Sequence, residues 1–197
     1  MRLYLIRHGQ SEGNLGKSIP DPDLTDLGKE QARLTGRRLA AEDIEIILSS
    51  PLKRSIHTAR IIGEEIGVVP KLLAEVMESW NGSELRSPAE IAAQYPDLDV
   101  DLPDRWWPDA ENEEDLYRRA REAEIRIREI GYERDIAVVS HGTFGAVLIS
   151  TFLGAPPCGY TRFSQHNCCV SILVLQPGRA KLYKGNDVSH LPPESWT

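Results

Sequence analysis

Four short apolar runs rich in branched residues punctuate the chain: Leu3–Ile6, Ile44–Leu48, Ile136–Val139 and Val170–Leu175. Runs this short, without polar alternation, predict strands buried on both faces. Between them the apolar spacing changes to three and four. Thr25, a good N-cap, opens a predicted helix over Asp26–Ala41, and Ile56, Ala59, Ile62 and Ile66 form the stripe of a second over Leu52–Ile66, stopped by Gly67. A third is expected after Asn112, with Glu113, Glu114 and Asp115 in its first turn, where the helix dipole favours anions, and it runs to about Ile130. Thr143–Leu153 reads as a fourth. Gln176-Pro177-Gly178-Arg179 predicts a turn into a last strand, Ala180–Tyr183. The alternation predicts an α/β three-layer sandwich, with a largely parallel central sheet and helices on both faces.

Residues from about 79 to 112 break this pattern. They hold four prolines, many acids and the pair Trp106-Trp107, without clear periodicity. An irregular, lid-like excursion over the C-terminal strand ends is expected, inside a single domain spanning 1–197. Tyr95, Arg105, Trp106 and Trp107 either wall a pocket there or pin the excursion to the sheet.

Composition narrows the function. With 41% apolar and 27% charged residues the chain is of ordinary globular type, and 30 acidic against 23 basic residues give a net charge of −7. A nucleic-acid partner, which needs a basic face, is not expected. No apolar stretch approaches the roughly 18 residues that span a bilayer, and Leu3–Ile6 is too short for a signal-peptide apolar region. Cys158, Cys168 and Cys169 are odd in number and two are adjacent, which suggests buried reduced thiols. The expectation is a cytoplasmic protein without a membrane partner, its oligomeric state open.

The chemistry gathers where predicted strands end. Leu3–Ile6 runs into Arg7-His8-Gly9, Ile136–Val139 into Ser140-His141-Gly142, and Ile44–Leu48 into Ser49-Ser50-Pro51 with Arg54 one turn later. In open α/β sheets the ligand crevice lies beyond the carboxyl ends of the strands, so two imidazoles and two guanidiniums surround one spot. Gly9 and Gly142 permit sharp turns, and Ser11, Asn14 and Thr143 fall where helix N-termini add donors to an oxyanion. A phosphoryl group fits this set best, since arginine offers bidentate forks and keeps its charge.

Other chemistries fit poorly. A zinc site needs a third ligand and close-spaced pairs, yet HExxH and CxxC spacings are absent and two arginines repel a cation, so no metal or cofactor is expected. Gly13-Asn14-Leu15-Gly16-Lys17-Ser18 has two residues between its glycines where a P-loop has four. No Gly-x-Ser-x-Gly elbow presents a serine. A histidine is left as the nucleophile.

Arg7-His8-Gly9-Gln10-Ser11-Glu12-Gly13-Asn14 resembles the Arg-His-Gly signature of the histidine phosphatase superfamily, the group that includes cofactor-dependent phosphoglycerate mutase. Leu24-Thr25-Asp26-Leu27-Gly28, Ser49-Ser50-Pro51-Leu52-Lys53-Arg54-Ser55, Val139-Ser140-His141-Gly142 and Ser189-His190-Leu191 continue the resemblance in the family's order. It implies transfer through a phosphohistidine on His8, with Arg7, Arg54 and His141 holding the phosphoryl oxygens and Ser11, Asn14, Gly142 and Thr143 lining the phosphate site. The tautomer of His8 should be fixed by a backbone acceptor at Gly9 or beyond. The family's acid lies in a Leu-x-Glu segment before Trp-x-Gly. Leu73-Ala74-Glu75 and Trp80-Asn81-Gly82 fit with an interval one residue short, so Glu75 is expected as the acid and Glu78 stands as its rival. Arg119 matches an arginine of the phosphatase branch, but as a helical residue it is expected to be solvated like Arg118; His57, His166 and His190 are assigned to structure.

The resemblance implies a metal-independent phosphomonoesterase of the histidine acid type acting on a small phosphorylated substrate. Phosphoglycerate mutase is the alternative, and the excursion, with only Arg86 and Arg105 as basic residues, lacks the basic cluster mutases use. A noncatalytic binder of a phosphorylated ligand remains the reading of another class.

Overall fold

The computed structural model describes residues 1–80, 82–157 and 163–197. Among them lie six strands: β1 (Arg2–Arg7), β2 (Ile44–Ser49), β3 (Lys71–Leu72), β4 (Asp135–Ser140), β5 (Val170–Gln176) and β6 (Arg179–Asp187). They form one sheet in the order β3-β2-β4-β1-β5-β6. The first four strands in that order are parallel; β5 runs antiparallel to β1 and pairs with β6 in a hairpin turned at Gly178, φ 67°. The helices are α1 (Asp26–Leu39), α2 (Lys53–Ile66), α3 (Pro88–Gln94), α4 (Glu113–Glu129) and α5 (Gly142–Phe152). Thr25 caps α1 by accepting the Gly28 N–H at 3.0 Å, and Asn112 caps α4 by accepting that of Asp115 at 3.0 Å.

β1 explains why its sequence reads as an unbroken apolar run. Leu3 and Leu5 face Leu116, Ala120 and Ile127 of α4 and Phe144 and Leu148 of α5, while Tyr4 and Ile6 face Leu39 of α1 and Ala59 and Ile62 of α2. Both faces of the sheet are thus covered, as the predicted sandwich requires. Each such leucine or isoleucine contributes about 1.5–3 kcal/mol by leaving water. At its carboxyl end the chain is pressed against α1. A methyl group on Gly28 would lie 2.0 Å from the Gln10 carbonyl oxygen, and one on Gly9 would lie 2.4 Å from that of Gly28.

The stretch 79–112 is more ordered than its prolines suggest. Pro88 occupies the first turn of α3, where its missing N–H costs nothing, and Ser87 and Glu90 close a capping box around it. A separate core forms beneath the excursion: Leu52 and Ile56 of α2 with Met77, Leu85, Ile91, Tyr95, Leu98 and Trp106. Trp106 is 5% exposed and donates its indole N–H to the Arg86 carbonyl at 2.8 Å, so it pins the excursion. Among the described residues no helix is long and apolar enough to cross a membrane.

Candidate active site

Three strand ends meet as the sequence suggested. The His8 N–H donates to the Ser140 carbonyl at 2.9 Å and the Ser50 N–H to that of Val139 at 3.1 Å, which joins the chain leaving β1 and β2 to β4. The rings of His8 and His141 pack edge to face with centroids 5.1 Å apart. Arg54, in the first turn of α2, donates its Nε–H to His8 Nε2 at 3.2 Å. On the other side of that ring, Nδ1 meets the Gly9 carbonyl at 2.7 Å. A carbonyl can only accept, so Nδ1 carries the proton and Nε2 the lone pair.

The main chain behind His8 is held from several sides. Asn167 Nδ2 donates to the His8 carbonyl at 2.8 Å, the Gly9 N–H donates to Thr58 Oγ1 at 3.0 Å, and the Gln10 N–H donates to Gln31 Oε1 at 2.8 Å. These partners come from the segment before β5, from α2 and from α1. The imidazole thus sits on a platform built by three elements.

The electrostatics favour a neutral ring facing fixed positive charge. Burial, reinforced by the Arg54 and Arg7 charges, holds His8 well below the usual imidazole range. Burial, with Arg54 and His8 beside it, does the same to His141. Burial also lowers Arg7 and Arg54, whose values start so high that both stay cationic. Arg7 donates through Nη1 to the Gln165 carbonyl at 2.6 Å and lies against Gly142, where a methyl group would come within 3.4 Å of its Nε. Arg7 Nε and His141 Nδ1 are buried without a hydrogen-bond partner among the described residues. Both atoms are open to a hydrogen bond from outside the protein, from water, an ion or a ligand. The other nitrogen of His141 meets Ser50 Oγ at 2.9 Å and Ser55 Oγ at 3.3 Å.

The expected phosphate-lining residues divide. Ser11 is buried, and both its N–H and its hydroxyl donate to Asn14 Oδ1, at 2.9 and 3.0 Å. Gly142 opens α5 beside Arg7. Thr143, however, has its backbone N–H engaged by a protein carboxylate. Glu78 Oε2 accepts it at 3.2 Å, and Glu78 Oε1 accepts the Phe144 N–H at 2.9 Å.

Glu75 and Glu78 are therefore sorted by geometry. Glu75 lies in a one-turn 3-10 helix, Ala74–Val76, and its carboxylate turns outward to Arg126 at 3.4 Å, into a groove lined by Lys71, Asp101 and Glu129. The structure turns the expected Glu75 away from the strand ends: the turn ends at Met77 in extended conformation, and the side chain carried to the start of α5, next to His141, is that of Glu78. The Glu78 charge lies close enough to Arg7 and Arg54 to offset part of the lowering that burial imposes on both. For Arg119 the expectation is corrected. Arg118 is solvated on the face of α4, but Arg119 is buried against Glu111, with N···O 2.7 Å.

Sequence reasoning also missed Asp21. Its carboxylate accepts the Lys53 N–H at 2.9 Å, capping α2, and pairs with Arg86 at 2.9 Å, which ties the excursion to the helix that carries Arg54. His57 points out of the pocket as expected, between Asp23 and the Tyr95 hydroxyl, the latter at 2.9 Å. Cys168 and Cys169 are buried free thiols that burial pushes up to about 12; Cys158 lies outside the described residues. Among the described residues no three His, Cys, Asp or Glu side chains converge to hold a metal ion.

Comparison with known proteins bears directly on this arrangement. A family model described as histidine phosphatase superfamily (branch 1) matches residues 3–188. A protein of Photorhabdus laumondii named probable phosphoglycerate mutase is 34% identical over 181 residues, 87% of this chain and 83% of that protein. Phosphoserine phosphatase 1 of Hydrogenobacter thermophilus is 28% identical over 202 residues, covering 97% of this chain and 94% of its own. Among solved structures, the alpha-ribazole phosphatase of Shigella flexneri superposes with a TM-score of 0.77 at 26% identity, over 95% of this chain and 96% of that one.

Proposed function

The chain belongs to the histidine phosphatase superfamily, and on that premise we propose that it is a metal-independent phosphomonoesterase working through a phosphohistidine on His8. The observation that carries this reading is the contact of His8 Nδ1 with the Gly9 carbonyl, which leaves the lone pair on Nε2, toward Arg54 and beside Arg7 and a neutral His141. As the ester enters, Arg54 exchanges His8 Nε2 for a phosphoryl oxygen, which frees the lone pair. Nε2 then forms a bond to phosphorus while the ester P–O bond breaks. Arg7, Arg54 and His141 hold the three non-bridging oxygens, on which negative charge spreads. The departing oxygen keeps the electron pair of the broken P–O bond and takes a proton from Glu78, which enters this step as the carboxylic acid. In the second step water attacks phosphorus and gives its proton to Glu78. The N–P bond breaks, orthophosphate leaves, and both groups return to their starting states.

The test is release of orthophosphate from p-nitrophenyl phosphate and 3-phosphoglycerate in excess chelator, with His8→Ala as the control. Chelator-resistant turnover that disappears in the variant supports the reading, as does an acid-labile, base-stable phosphoryl label trapped on wild type. Turnover that survives His8→Ala overturns it.

The 34% identity to a probable mutase favours a second reading, in which the phosphoryl group returns to the glycerate before water takes it. Against it, Arg86 is engaged by Asp21 and Gln94 and Arg105 by Asp109, which leaves the excursion without a free basic pair for the second anion. Interconversion of 3- and 2-phosphoglycerate primed by 2,3-bisphosphoglycerate, faster than orthophosphate release, would decide for the mutase.

A further inference from the structure

Arg119 is 8% exposed, and the phosphoryl cradle makes no use of it. Its Nε and Nη2 donate to the two carboxylate oxygens of Glu111, each at 2.7 Å. The other three N–H groups reach main-chain oxygens: Nη1 donates to the carbonyls of Glu75 at 2.9 Å and Met77 at 2.8 Å, and Nη2 to that of Glu78 at 3.1 Å. All five donors of the guanidinium are used. Its plane lies over the Phe144 ring, 4.4 Å from the centroid. Glu111 closes the ring of contacts: its carboxylate accepts the Trp80 N–H at 3.2 Å, and its own N–H donates to the Trp80 carbonyl at 3.0 Å.

The segment wrapped around this pair, residues 75–80, is the one that carries Glu78. Burying a charge is costly unless every donor is matched, and a fork of five matched donors tolerates little rotation of its acceptors. With the carbonyls of 75, 77 and 78 turned in to Arg119, the Glu78 side chain leaves the strap toward the N-terminus of α5. Phe144 is shared: its ring supports the guanidinium and its N–H holds the Glu78 carboxylate.

We propose that Arg119, locked by Glu111, is a positioning residue that aims Glu78 at the leaving-group oxygen. The inference rests on the assignment of Glu78 as proton donor. Arg119 touches neither substrate nor reacting atoms, so its whole effect passes through Glu78.

The experiment compares kcat/KM, which reports transfer to His8 and is blind to later hydrolysis, for phenyl phosphate and 2,4-dinitrophenyl phosphate. Wild type, Arg119→Lys, Glu111→Gln, Glu78→Gln and the double variant Glu78→Gln/Arg119→Lys are measured, with circular dichroism as the folding check. Arg119→Lys keeps the charge but not the fork, and it is expected to lose about 10- to 100-fold on the poor leaving group, as misplacement by about an ångström does. On the activated ester its loss stays within about threefold. Glu111→Gln, the milder variant, follows the same pattern should the lysine variant not fold. In the Glu78→Gln background Arg119→Lys adds no further loss. Equal losses on both esters, or a full additional loss in the double variant, overturn the positioning role while leaving Glu78 its own. A Glu78→Gln variant indifferent to the leaving group overturns the donor assignment, and the positioning role falls with it.

Discussion

The two walls of the pocket are built in opposite ways. The wall that would face the phosphoryl group consists of strand ends and helix starts: His8 after β1, Arg54 in α2 and His141 ahead of α5, each within a residue or two of regular structure and joined by backbone hydrogen bonds. The wall that would face the leaving group is a strap and an excursion, held by a small core of their own and by two ion pairs, Arg119 with Glu111 eight residues before it and Arg86 with Asp21 65 residues before it. Phosphate is the same in every ester, so its wall gains from a rigid scaffold. The alcohol varies, and a wall with its own core, apart from the two that cover the sheet, can change without disturbing the sheet.

Substitutions can break this contrast, and the largest effect belongs to the rigid wall. His8→Ala removes the attacking nitrogen and should lower kcat for any ester by about 10⁴-fold or more, read as orthophosphate release. Next is Glu78→Gln, with a loss of about 10²- to 10⁴-fold on an alkyl phosphate and little on 2,4-dinitrophenyl phosphate, whereas Glu75→Gln should stay within about threefold on both. Equal losses for the two glutamates would erase the distinction between outward and inward carboxylates. Arg54→Ala should cost about 10²- to 10³-fold regardless of the leaving group, because the proposed step sets the guanidinium on the phosphoryl oxygens alone. A smaller effect concerns pH. Since His8 is held well below the usual imidazole range, kcat/KM should keep its nucleophile-dependent plateau below pH 6.5, and an acid limb centred at 6.5 or above would contradict the burial argument. Smallest is Asp21→Ala, which removes the cap of α2 and the tie to Arg86. It should lower stability by about 1–2 kcal/mol in urea and raise KM more than it lowers kcat.

The same contrast governs what the sequence discloses. β1, β2, β4 and β5 are buried on both faces, so their apolar runs survive any detail of packing, and the residues that follow them could be read in position. The inward-facing carboxylate could not. Glu75 and Glu78 are three apart, and the choice between them is made at Met77, where the 3-10 turn ends, and by Arg119, which collects carbonyls from 41 to 44 positions away. Arg119 itself looks like any arginine on an amphipathic helix until Glu111 is known to face it. The helix α3 was within reach, because Ser87-Pro88-Ala89-Glu90 is a capping box with proline at the first helical position. The other prolines of the stretch masked it. The bond between Asp21 and Arg86, 65 residues apart, leaves no local trace.

The edge-to-face pair of buried imidazoles also sets the protein's tolerance of acid. His8 and His141 both take up protons more readily once the chain is unfolded, because unfolding returns them to water and to an ordinary value of about 6.5. Each therefore stabilises the folded form above that pH, and the contribution drains away as the pH falls toward the depressed folded values. Acid therefore draws on the stability of the fold through two side chains before it protonates either of them in the folded chain.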